Sequence, residues 1–135
     1  MEEVKSMDAT PQRPEGSRII DAALTEVDLN QLISDLKEES TWKESDRNSI
    51  TVHKSDNFVI VLMGLHDGAE LKPHNAAGVL SLQVIKGKID FIVEAKKVEM
   101  ETGNMVVLHD RVFHSVVAKE DSFLLLSIAK VKEEK

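Results

Sequence analysis

The sequence predicts a mainly β domain, a sandwich or barrel of short strands with one helix on its N-terminal side. Short β-rich runs recur from residue 49 to residue 131, separated by tight-turn signals. Several of these runs are apolar on both faces, as in 123–128, which requires a covering layer on each side of the sheet. One earlier window carries its apolar residues at helical spacing.

Residues 1–17 are charged, contain Pro11 and Pro14 and hold few apolar side chains, so a disordered lead is expected there. The folded domain is expected over 18–131, with 132–135 as a frayed tail. The helix is expected over about 26–39. Thr25, three residues before Asp28, resembles a capping box, and Leu29, Leu32, Ile33 and Leu36 follow at i, i+3, i+4 and i+7. Its polar side carries Asp35, Lys37, Glu38 and Glu39, and it is expected to pack on the sheet and to end near Ser40.

Strands follow. Residues 49–53 form a short β-rich run, and 58–65 (FVIVLMGL) is a continuous apolar run bounded by Ser55-Asp56-Asn57 and Asp67-Gly68, as buried strands are. Run 78–85 leads into the turn Lys86-Gly87-Lys88, run 89–93 alternates against charged neighbours, and 94–97 reads as a hairpin tip. Run 98–100 reaches the turn Thr102-Gly103-Asn104, and 105–108, 115–118 and 123–131 complete a set of eight or nine strands, with Glu120-Asp121 as the last turn. Burial on both faces also leads to the expectation of a homodimer formed through the sheet.

Composition narrows the function classes. With 24 acidic against 17 basic residues, the net charge of −7 disfavours nucleic acid and anionic membrane surfaces. There is no cysteine, which removes disulfides, thiolate metal sites and a Cys nucleophile and fits a cytoplasmic protein. The first residues lack the apolar stretch of a secretory signal, and no apolar run approaches the ~20 residues that span a bilayer. The four Phe and Trp42 are not interleaved with basic residues, so no stacking platform for single strands is visible. No Ser-His-Asp set, phosphate loop or pair of catalytic carboxylates can be defended.

Two windows carry a resemblance. The first runs from Gly68 through His74 and Ala76 to Gly87, and the second from Gly103 through His109-Asp110-Arg111 to His114. Together they resemble the paired motifs of the cupin family: glycine, five residues, His-x-His, a glutamate, and a later glycine; then glycine, five residues, Pro-x-Gly, two residues and a histidine. Gly68, His74, Gly87, Gly103 and His114 match in register, and the likeness covers about 58–129. The resemblance implies a cupin-like (RmlC-like) jelly-roll β-barrel with the histidines facing the interior near one mouth. Gly87 and Gly103 are then turn glycines.

The departures shape the functional reading. Ala76 stands at the family's second histidine and Leu80 at its glutamate, so the three-His, one-Glu cage that the resemblance implies cannot be built. Catalytic metals normally take about three protein ligands, and His74 and His114 supply two. His66 or His109 are the candidates to add a third, with Glu70 also near in sequence. No cofactor is favoured; a divalent Fe, Mn, Ni or Zn is the alternative. Leu80, Leu82 and Val116 share the interior by alternation, giving a dry, aliphatic ligand pocket around His74 and His114. The blander readings stand beside this: His114 next to Phe113 as a core histidine, His109 as a turn residue, His53 as a polar strand residue. The chain also looks like small cupins with an incomplete metal set and no assigned activity, in Ala76-Ala77-Gly78 and in 114–121.

Three functions compete: a non-enzymatic module binding a small polar or anionic molecule, a cupin-type enzyme (metal-assisted oxygenase or isomerase, or metal-free acid–base), and a packed structural or assembly barrel. The missing ligands favour binding or structure over oxygen chemistry.

Overall fold

Asp28 sets the start of the first helix. In the computed structural model, which describes residues 23–130, α1 spans Leu29–Glu38 and α2 spans Ser40–Glu44. The lead at 1–17, the domain start at 18–22, Val131 and the tail at 132–135 lie outside the described residues. The expected capping box is corrected. Asp28 is itself the N-cap, its carboxylate accepting the Gln31 N–H at 3.2 Å, because a short carboxylate serves the first turn directly. The helix is also shorter than the expected 26–39. Glu39 turns extended (φ −78°, ψ 148°) and a second, one-turn helix follows, carrying Trp42 inward.

Nine strands are formed among the described residues: β1 (Arg47–Lys54), β2 (Phe58–Leu65), β3 (Glu70–His74), β4 (Gly78–Lys86), β5 (Lys88–Val93), β6 (Lys96–Glu101), β7 (Met105–Leu108), β8 (His114–Ala118) and β9 (Ser122–Lys130). They make two antiparallel sheets, ordered β1-β2-β9-β4-β7 and β3-β8-β5-β6. β3 was not expected as a strand. Its sequence, ELKPH, has one half-buried residue and a proline, which only an edge strand tolerates. The hairpin tip at 94–97 tightens to Glu94 and Ala95, both left-handed (φ 48° and 68°) without the glycine or asparagine that usually marks such a turn. Among the described residues, no helix is long and apolar enough to cross a membrane.

Alternation divides the core in two. Leu65, Leu82, Val84, Ile89, Phe91, Met100, Val116 and Leu124 pack between the sheets. Ile50, Val52, Leu62 and Phe123 emerge on the outer face of the five-stranded sheet, where Ile33, Leu36 and Trp42 of the helices cover them. The helices leave the far end of that face open: Val79, Met105 and Val107 are exposed.

Gly64 makes the helix contact possible. A Cβ there would sit 2.9 Å from Phe123 Cε1, 3.0 Å from Trp42 Cζ3 and 3.1 Å from Leu36 Cδ2. Gly64→Ala is therefore expected to destabilise the fold by roughly 1–3 kcal/mol through overpacking. Urea denaturation checks this, and an unchanged midpoint would show that the helices reposition freely.

Candidate functional site

Register brings the two motif histidines together. β3 and β8 pair antiparallel with Glu70 opposite Val117, Leu71 opposite Val116 and His74 opposite His114. Between the last two pairs β3 advances three residues while β8 advances two, a one-residue bulge at Lys72–Pro73. The bulge decides which way His74 points. Leu71 packs against the inner core, so strict alternation would send His74 outward; the extra residue restores it to the inner side. Pro73 suits this place, because it has no N–H to offer the ladder.

The His74 and His114 rings lie 4.3 Å apart between centroids, tilted by 57°. His114 is only 4 % exposed and its ring is stacked 5.5 Å from Phe91, whereas His74 is exposed at the mouth. Each ring is anchored by its own strand. His74 Nδ1 lies 2.7 Å from the Lys72 carbonyl oxygen, and His114 Nδ1 lies 3.1 Å from that of Val112. A carbonyl oxygen only accepts, so each Nδ1 carries the hydrogen and donates it. In the neutral imidazoles, both Nε2 atoms are then hydrogen-bond acceptors.

These rings line a cavity of about 300 Å³ with Asn75, Ala76, Ala77, Leu80, Leu126, Ile128 and Lys130. Of the expected pocket residues, Leu80 joins the two histidines in the lining. Leu82 and Val116 are corrected: they are inward, as alternation requires, but they lie in the packed core and not in the cavity wall. The wall instead takes Leu126, Ile128 and Lys130 of β9. The alternation Leu124, Leu126, Ile128, Lys130 would have revealed them once one of the four was known to face inward.

The remaining candidates lie elsewhere. His66 shares a face with Leu62 and Gly64, which is the outer, helix-covered face; it stacks on Trp42 at 3.6 Å and its Nε2 is 2.8 Å from the Trp42 carbonyl oxygen. His109 is exposed just after β7 and is not in the lining, and Glu70 is exposed opposite Val117. The metal cage implied by the resemblance does not fit these residues. Ala76 and Leu80 present only apolar groups where two donors would stand, and no cluster of three His, Cys, Asp or Glu able to hold a metal forms among the described residues.

Arg111 stands where the resembling pattern has glycine, and it adopts the left-handed conformation that glycine favours (φ 64°). Its backbone N–H donates to the Ala76 carbonyl at 2.9 Å, tying the 109–113 turn to the cavity wall. A larger groove of about 430 Å³ lies on the other side of β5 and β6. The nearly buried Asp90 there is flanked by Lys119 at 3.6 Å and Lys97 at 3.8 Å, so its charge is already balanced.

Burial pushes the His114 imidazole below its ordinary range, and the nearby His74 adds to this against the raising effect of the Val112 hydrogen bond. The folded state therefore binds fewer protons than the unfolded state at mildly acid pH. This part of the stability is present above about pH 6.5 and is lost as pH falls through the depressed folded value. Between pH 7.5 and 5, the wild type is expected to lose more stability than His114→Gln. Urea midpoints at the two pH values read the difference, and equal losses would refute it.

No protein-family model and no curated protein matches the sequence. Solved structures do. An RmlC-like cupin protein from Desulfovibrio desulfuricans is 30% identical, with 60% of this chain covering 79% of that one at a TM-score of 0.56. A cupin superfamily protein from Desulfitobacterium hafniense aligns at TM-score 0.63 and 16% identity, over 65% of this chain and 81% of that one. A conserved protein of unknown function from Streptococcus pyogenes aligns at TM-score 0.64 and 19% identity, over 83% and 92%. The last two share the fold. The first, at its identity and coverage, joins the two glycine–histidine windows and their paired strands in showing that this chain belongs to the RmlC-like cupins.

Proposed function

We propose that the protein is a cytoplasmic binding module that holds a small organic molecule between His74 and His114 without a full metal centre. One observation carries this reading: two histidines, paired by strand register and each anchored through Nδ1–H to its own backbone, stand in an otherwise largely apolar cavity. At about 300 Å³ the cavity is at the small end for ligand pockets. Apolar walls with a few fixed polar groups are what such pockets use for affinity and orientation. A chain without cysteine suits a reducing cytoplasm.

The same anchoring favours a second reading. A histidine whose Nδ1–H is held by a carbonyl is also prepared to offer Nε2 to a metal. Metal content of the purified, untagged protein, after incubation with Fe²⁺, Mn²⁺, Ni²⁺ or Zn²⁺, separates the two. We expect no stoichiometric metal. We also expect hits from a small-molecule thermal-shift screen to be lost in His74→Ala and His114→Ala. A ligand at a hundred times its Kd stabilises by about 2.7 kcal/mol, a shift of several degrees in Tm. Stoichiometric metal that both substitutions abolish would establish the metal reading instead.

Self-association belongs to the same proposal. β7 is an edge strand, and its exposed Met105 and Val107 adjoin Val79 on the face that the helices leave open. A second copy can pair with that edge about a two-fold axis, covering both sets of side chains. Light scattering at micromolar concentration is expected to give a dimer that Val107→Glu dissociates. A wild-type monomer would overturn the assignment.

A further inference from the structure

We infer that the cavity selects a small hydroxy-carboxylate, its hydroxyl donating to one imidazole Nε2, its apolar body against Leu80, Leu126 and Ile128, and its carboxylate at Lys130. The inference rests on the small-molecule reading above and names the ligand's chemical class. The polar end of the site follows from hydrogen-bond chemistry. With both Nδ1–H groups spent on the Lys72 and Val112 carbonyls, the neutral histidines present acceptors only. A ligand group that is itself only an acceptor, such as an ether or a ketone, leaves these nitrogens unmatched. A hydroxyl gives its one hydrogen to one of them, and a site built to hydrogen-bond a hydroxyl rejects an analogue lacking that donor.

The charged end follows from strand alternation. Lys130 continues the inward series Leu124, Leu126 and Ile128 of β9, and so brings a cation to the inner side at the cavity's rim. Its backbone is fixed there. Its N–H donates to the Asn57 carbonyl at 2.8 Å and it pairs with Gly78 of β4. The two strands approach so closely that a Cβ on Gly78 would lie 2.3 Å from the Ala129 carbonyl oxygen. The cavity lining contains no carboxylate. Among the described residues Lys130 has no ion-pair partner, so its ammonium is open to an anionic ligand group.

The test uses two matched sets of probes on the full chain by isothermal titration calorimetry. 4-Hydroxybenzoate and 3-hydroxybutyrate are each compared with their O-methyl ether and their carboxamide, at pH 8. At least one hydroxy acid is expected to bind, with its ether and its amide each weaker by roughly tenfold, the size of one lost polar contact. Lys130→Met, at an exposed strand end, is expected to remove the acid–amide difference and to keep the hydroxyl–ether difference. Equal binding of acid and ether, or an acid–amide difference that survives Lys130→Met, would overturn the inference. If neither hydroxy acid binds while other compounds from the thermal-shift screen do, the inference fails and the binding-module reading stands. If nothing binds at all, both fail.

Discussion

Strand β9 has to be covered on two sides, and most of the architecture answers that need. It lies between β2 and β4 in the larger sheet, with Leu124 fully buried on the inner side and Phe123 nearly buried on the outer. The second sheet supplies the inner cover. The two helices supply the outer one, where the Trp42 ring sits 5.3 Å from Phe123. His66 closes the edge of this outer cluster by stacking on Trp42, with Asp121 3.5 Å from its Nδ1. Hydrophobic burial of this kind is non-directional and proportional to area, so it fixes layers more strongly than it fixes any one contact.

That division explains how much of the molecule could be read from its residues. The bounds of β2 and β7 match the expected runs 58–65 and 105–108, because apolar content and turn residues change abruptly at their ends. The glycine turns at Gly87 and Gly103 have φ of 114° and 94°, as their place in the motif implied. Strand β3 was illegible because an exposed edge strand needs no apolar run to hold it, only a ladder to one neighbour. Glu39 carries no breaker signal, so the division of the helix in two could not be seen either.

The candidate site was legible in part for a related reason. Alternation identifies a face but not a depth. It placed Leu80, Leu82 and Val116 inside together, yet only Leu80 reaches the open end, while Leu82 and Val116 sit two residues further along their strands from Leu80 and His114, in the packed core. The same rule groups His66 with Leu62 and Gly64 but does not say that their side of the sheet faces the helices. Leu80 and Ala76, read first as missing donors, become positive features once they are seen in the wall. They leave the two imidazoles as acceptors beside an apolar wall, and at the buried His114 a hydrogen bond is stronger and an unmatched one is costlier.

The bulge at Lys72–Pro73 sets a different kind of limit, on what descent can do to this barrel. Point changes at His74 or His114 would remove a functional group visibly. A change at Lys72 or Pro73 that let the ladder run regularly would remove neither, but it would shift the parity of the strand end and carry the His74 imidazole to the opposite face. Gain or loss of chemistry in such a lineage can therefore travel through positions that carry no functional group of the site. Two relatives with the same pair of histidines and the same spacing from Leu71 to His74 would be equivalent only where the bulge is also preserved.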